Sequence, residues 1–133
     1  MHEKEIEIRW RDVDALRHVN NAVYATYLEE CRDGFVEAAL GPDGAWDYVL
    51  ARVAIDFRRE LRLDDERVVA SCRLERVGHS SITLREEIRT LDGELAAEAE
   101  AVIVARDRAS GRSRPLTDEE LAALERTDSS AGV

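Results

Sequence analysis

Ile6, Ile8 and Trp10 alternate with Glu5, Glu7, Arg9 and Arg11, the period of two that a strand shows when one face is buried. The alternation breaks from Asp12 to Asn21, a polar stretch that ends in two asparagines, residues whose side chains accept from the free amides of a helix start. A helix is expected to begin near Asn20 or Asn21. Tyr24, Tyr27, Leu28, Cys31, Phe35 and Ala38 then recur at helical spacing, with Glu29, Glu30, Arg32, Asp33 and Glu37 largely on the other side. The periodicity predicts a helix of about five turns. Gly41-Pro42 ends it near Leu40, because glycine tolerates a left-handed cap and proline cannot continue the ladder.

From Tyr48 to Arg106 the pattern is that of strands. Ala51, Val53, Ile55 and Phe57 alternate with polar partners, as do Val68, Ala70, Cys72 and Leu74. Ile82, Leu84 and Ile88 mark a further strand and Leu95 to Ala105 the last, with the hairpin signal Asp92-Gly93 between them. Short turns between these strands predict antiparallel pairing. Ala97, Ala99, Ala101 and Ala105 leave one face of the last strand small, so that large residues, such as those of the long helix, must approach it closely. Thr117-Asp118-Glu119-Glu120 caps a short helix through Leu121, Ala122 and Leu124, and a small polar tail follows from Thr127. One domain over residues 1–126 with a flexible tail at 127–133 is expected. The order strand, long helix, four strands predicts an α+β layer, a helix covering an antiparallel five-stranded sheet. Such a sheet keeps an open edge, which a second copy of the chain would complete as a homodimer or homotetramer.

The composition narrows the partners. Across 133 residues, 19 Lys+Arg against 29 Asp+Glu give a net charge of -10, which disfavours nucleic acid and an anionic membrane surface except at a local basic patch. No apolar run nears the roughly 20 residues of a spanning helix, and Met1-His2-Glu3-Lys4 lacks the pattern of a secretory signal, so a cytoplasmic location is expected. Cys31 and Cys72 are too few for a disulfide framework or a cysteine metal cluster and read as buried thiols.

Chemistry concentrates between Trp10 and Tyr24. Free amides at a helix start, backed by the helix dipole, bind negative charge developing on a carbonyl oxygen, as acyl transfer requires, and a nearby carboxylate attacks or activates water. Asp12-Val13-Asp14 followed by His18-Val19-Asn20-Asn21-Ala22-Val23-Tyr24 resembles the 4-hydroxybenzoyl-CoA thioesterase family of hotdog proteins. The likeness extends to the strand order, to Gly78-His79-Ser80-Ser81 and to Pro115-Leu116, over nearly all of residues 4 to 125. It implies a hotdog fold, a long central helix wrapped by the sheet, and hydrolysis of an acyl-CoA thioester without metal or redox cofactor. By the same resemblance Asp14 is the catalytic carboxylate, as nucleophile through a mixed anhydride or as general base for water. The Asn21 amide polarises the thioester carbonyl, and His18, Asn20 and Tyr24 shape the pocket. Arg58, Arg59, Arg62, Arg76 and His79 are the nearest cations for coenzyme A by family position, with Ser80 beside them at the substrate. The family often has glycine where this chain has Arg17, a residue that takes a positive φ only at a cost.

Each residue also has a plainer role. Asp14 alone reads as a loop aspartate bonded to nearby amides, Asp12 as structural, and Asn20 and Asn21 as helix caps. His18, with no further ligands in spacing, makes a metal site improbable. Tyr24 fits the core, and the arginines fit solvated strand positions. Three other functions share the pocket: cleavage of acyl groups from an acyl carrier protein, hydration of an enoyl thioester by an Asp14–His18 pair, and non-catalytic acyl-CoA binding.

Overall fold

The computed structural model describes residues 1–131. β1 (His2–Glu7) leads through a 3-10 turn (Trp10–Asp12) into α1 (Asn21–Leu40). A second 3-10 turn (Gly44–Asp47) opens β2 (Tyr48–Phe57), and a third (Leu63–Asp65) precedes β3 (Arg67–Val77). β4 (Ser81–Thr90), β5 (Leu95–Ala105) and α2 (Asp118–Ala131) follow. All paired strands are antiparallel, in the order β1-β3-β4-β5-β2, so the fold is α+β with one five-stranded sheet and two helices.

The ends of α1 are where the sequence puts them. The Asn20 side chain accepts the Ala22 amide at 2.9 Å, and Gly41, at φ 83, turns its amide back onto the Glu37 carbonyl. Along its inner face Tyr24, Tyr27, Leu28, Cys31 and Phe35 join one core cluster with Val68, Ala70, Ile82, Leu84 and Ile88 and with Ala97, Ala99 and Ala105 of β5. Burying each of the larger side chains contributes about 1.5–3 kcal/mol, which outweighs the modest intrinsic helix preference of the segment. Both cysteines are buried and free, and burial pushes the Cys31 thiol up to about 12.

Four features depart from the pattern. Trp10 is exposed instead of continuing the buried face of β1, because the Asp12 carboxylate takes the Arg9 amide at 2.9 Å and winds the chain into a turn after Ile8. β2 pairs with β5 and not with β3. The connecting segment crosses the sheet end, anchored by fully buried Leu61 and by the Arg58 and Arg59 amides on the Ala96 carbonyl. Arg32, on the helix face read as polar, is buried and forms a two-bond ion pair with buried Glu86 at 2.9 Å. α2 continues through Thr127 to Ala131 in place of the expected tail, because Asp128 accepts the Leu74 amide at 3.0 Å where the β3–β4 register shifts. Gly132 and Val133 of that tail lie outside the described residues.

This topology gives the molecule two distinct ends. The start of α1, Phe57, Arg67 and Thr90 share one end, while Tyr48, the β3–β4 turn and the end of α1 share the other, separated by the roughly 30 Å length of α1.

Candidate active site

Asp12 is the anchor of the loop that carries Asp14. Its carboxylate is buried and accepts from the Arg9 amide, the Arg9 guanidinium and, at 2.7 Å, the Tyr27 hydroxyl, while its carbonyl takes the Asn20 amide. Burial pushes its pKa up, but these hydrogen bonds outweigh burial and hold it below the ordinary aspartate value. Burial and the same contact raise the Tyr27 phenol. One side chain therefore ties the end of β1, the loop and the first turns of α1 together.

Between Val13 and Val19, which form an isolated bridge, the chain makes a tight turn. The Asp14 amide donates to the His18 carbonyl at 3.0 Å, and the Arg17 amide to the Asp14 carbonyl at 2.9 Å. Arg17 adopts φ 67, the conformation for which glycine is favoured, and for a side chain with a Cβ this costs about 1–2 kcal/mol. The exposed Asp14 carboxylate accepts the Leu16 amide through Oδ1 at 2.9 Å, as a loop aspartate does, and among the described residues Oδ2 takes no hydrogen bond. The loop is closed from below by the Val19 amide on the Leu61 carbonyl at 2.7 Å.

At the start of α1, the Ala22 amide is taken by the Asn20 side chain and the Val23 amide by the Asn20 carbonyl, which leaves the Asn21 amide with no partner among the described residues. No acidic residue lies in the first turn of α1 to neutralise its dipole. An unpartnered N–H at a positive helix end, in the same loop-to-helix segment as a carboxylate with a free oxygen, has the chemistry to stabilise charge on a carbonyl while a carboxylate works on the same carbon.

The other residues singled out from the sequence divide between the two ends. His18 Nε2 lies 2.8 Å from Glu60 Oε2 and so pairs with Glu60, not Asp14; Arg62 holds Glu60 below the ordinary glutamate value. Tyr24 is buried, its ring edge-on to Phe57 at 5.1 Å, and its hydroxyl donates to the Arg59 carbonyl. It supports the pocket wall and offers no free hydroxyl to a substrate. Arg58 is drawn to Glu98 and Asp56, and Arg59 to Asp65 and Glu94, so neither guanidinium is free. His79 and Ser80 sit in the β3–β4 turn, at the end opposite Asp14 in the same chain, with Arg76 close by on β3. A groove of about 470 Å³ lies at that far end too, lined by Arg32, Asp33, Val36, Trp46, Val49 and Arg106, and does not reach Asp14. Among the described residues no group of His, Cys, Asp and Glu could hold a metal ion.

The motif residues Asp14, His18, Asn20 and Asn21 are thus one local unit. Tyr27 and Glu60, which position Asp12 and His18, escape the sequence reading because a tyrosine on a core face and a lone glutamate carry no signal for a distant partner.

Residues 8–124 match the model of the thioesterase-like superfamily. The chain belongs to that superfamily. Membership makes it a thioester hydrolase, and solved structures of similar proteins share its fold. A thioesterase of Thermus thermophilus, solved with coenzyme A and Zn, is 28% identical with a TM-score of 0.88, covering 96% of this chain and 94% of that one. A predicted thioesterase of Bacillus stearothermophilus is 25% identical at a TM-score of 0.86, covering 95% of each chain. A putative thioesterase of Pseudomonas aeruginosa is 30% identical at 0.81, covering 92% of this chain and 97% of that one. No curated protein matches the chain. The thioesterase-like match begins at Ile8 and so includes the whole Asp14 loop.

Proposed function

We propose that the chain hydrolyses acyl-CoA thioesters at Asp14. The observation that carries this reading is the pairing of an unpartnered Asn21 amide, at an uncompensated helix start, with a carboxylate whose Oδ2 is free. In the general-base route Asp14 takes a proton from water as the oxygen adds to the thioester carbon. The Asn21 N–H stabilises the resulting oxyanion, and collapse expels the coenzyme A thiolate, which is protonated as it leaves. In the nucleophilic route Asp14 itself displaces the thiolate, and water then cleaves the mixed anhydride. Both routes leave a free acid and coenzyme A, and neither uses a metal or redox cofactor. Hydration of an enoyl thioester needs proton transfer shared between Asp14 and His18, and the engagement of His18 with Glu60 weighs against it.

The same reading takes α1 as the central helix of a hotdog fold, with the sheet wrapped round it, and takes the working form as a homo-oligomer in the cytoplasm, acting on a small-molecule thioester. Support for a coenzyme A substrate comes from the thioesterase relative that was solved with that molecule bound.

Thiol release from short, long and aromatic acyl-CoA esters tests the reading. The wild type is expected to turn over at least one ester, and Asp14→Asn to lose about 10²–10⁴-fold in rate while keeping the same unfolding midpoint. A folded variant with undiminished turnover removes Asp14 from the chemistry, and an inactive wild type that still binds the ester leaves acyl-CoA binding as the function.

A further inference from the structure

The loop beside Asp14 exposes an unusual set of side chains for an acidic protein. Trp10 is 81% and Leu16 75% exposed, more than any other large apolar residue described, and both lie within four residues of Asp14. Arg11 and Arg17 flank them, also exposed. Neighbouring cations are neutralised: Arg9 by Asp12, Arg58 by Glu98, Arg59 by Asp65 and Glu94, and Arg62 by Glu60. Among the described residues no carboxylate comes within ion-pair distance of Arg11 or Arg17, and their side chains make no hydrogen bond.

Arg17 is also held where arginine fits poorly. The turn needs a left-handed residue at this position, which glycine supplies without strain, and the chain carries a long cation there at φ 67. A backbone outlier is an observation from which a role is inferred. Here the turn gains nothing from the arginine, since its amide bond to the Asp14 carbonyl would be made equally by glycine. What arginine adds is a free guanidinium on the exposed side of the loop that carries the carboxylate.

A protein of net charge -10 repels a polyanionic carrier group unless unneutralised cations meet it. We propose that Arg17, assisted by Arg11, binds the phosphate groups of the coenzyme A moiety as its pantetheine arm leaves Asp14 across Leu16 and Trp10. Guanidinium and phosphate match as a two-bond donor and acceptor pair, and the backbone strain is offset by that contact only when the ligand is bound. Arg17 is then a residue that selects the carrier and takes no part in bond breaking. This rests on the proposed hydrolysis of acyl-CoA, and it assigns the phosphate contact to a cation distinct from Arg58, Arg59 and His79.

The test combines two readouts on Arg17→Gly and Arg17→Lys. Calorimetric affinity for coenzyme A itself is expected to fall roughly three- to tenfold in Arg17→Gly and to fall by a smaller factor in Arg17→Lys, which keeps the charge but loses the two-bond match. The ratio of kcat/KM for an acyl-CoA to that for the same acyl group on phosphate-free pantetheine is expected to fall by the same factor. An acyl ester of dephospho-coenzyme A separates the 3′-phosphate from the pyrophosphate. Meanwhile the thermal midpoint of Arg17→Gly rises by a few degrees as strain is released. Unchanged affinity for coenzyme A in Arg17→Gly, or equal losses on both carriers, overturns the proposal, as does selective loss toward an acyl carrier protein alone. A wild type that releases no thiol from any ester overturns hydrolysis, and the calorimetric comparison still decides Arg17.

Discussion

Removing one oxygen from Tyr27 tests how firmly the loop that carries Asp14 is held. Tyr27→Phe takes away the 2.7 Å donor to Asp12 and leaves a buried carboxylate one hydrogen bond short. Loss of a bond to a charged buried acceptor costs about 1.5–3 kcal/mol, which denaturant unfolding would read, and turnover should fall because the loop loosens. A variant as stable and active as the wild type would show that Arg9 alone suffices. The Arg32–Glu86 pair poses the opposite question. Burial lifts the Glu86 pKa above the ordinary glutamate value even against the pull of Arg32, so desolvation outweighs attraction there. Arg32→Met should therefore cost about 3–5 kcal/mol by stranding Glu86, and Arg32→Met with Glu86→Leu should regain most of it. A double variant as unstable as the single one would mean that the pair stabilises the core by more than its desolvation costs.

Among the elements, α2 shows how much a cap does. Thr117 and Glu120 exchange hydrogen bonds at 3.1 and 3.0 Å, and Glu120 also takes the Arg114 guanidinium at 2.7 and 2.8 Å and the Tyr48 hydroxyl at 3.1 Å. Arg114, against a smaller effect of burial, lowers Glu120 to about 2 from 4.5. A carboxylate with a lowered folded pKa stabilises fully above its unfolded value and loses that contribution as pH falls. The thermal midpoint of Glu120→Gln should thus lie below that of the wild type at pH 7, with the gap closing between about pH 4.5 and 2; a gap independent of pH would assign the effect to geometry instead of charge. The cap of α2 was legible in Thr117 and Glu120, and the limits of α1 in Asn20 and Gly41, because caps are local. The pairing of β2 with β5, the length of α2 and the buried Arg32 were not, since each depends on a contact far along the chain: Ala96, Leu74 and Glu86. The site divides in the same way. Asp14, His18, Asn20 and Asn21 are contiguous and readable together, while Glu60, Tyr27 and the Arg59 carbonyl, which fix His18, Asp12 and Tyr24, come from other segments.

For the molecule as a whole, the two sheet edges differ. β1 carries Glu3, Lys4, Glu5 and Glu7, charges that deter another strand, whereas β2 exposes Val49, Leu50, Val53 and Phe57 beside an unpaired backbone. An open apolar edge of this kind is open to completion by a second copy, and symmetric pairing of β2 with its counterpart would run antiparallel. The consequence reaches the chemistry. Such antiparallel pairing would bring the Asp14 end of one sheet to the Tyr48 end of the other, so that the groove near Trp46 and the turn holding His79 and Ser80, remote from Asp14 within one chain, would lie beside the Asp14 loop of the second copy. If two copies pair through β2, Leu50→Lys combined with Val53→Lys places charge on that edge at positions already exposed in the single chain, so the fold should survive and a dimer of the wild type should become a monomer in sedimentation equilibrium. If the acyl group is held between copies, turnover falls in proportion to the dimer lost. A monomeric variant of full activity would confine the site to one chain, and a wild type monomeric at micromolar concentration would mean that the β2 edge stays open.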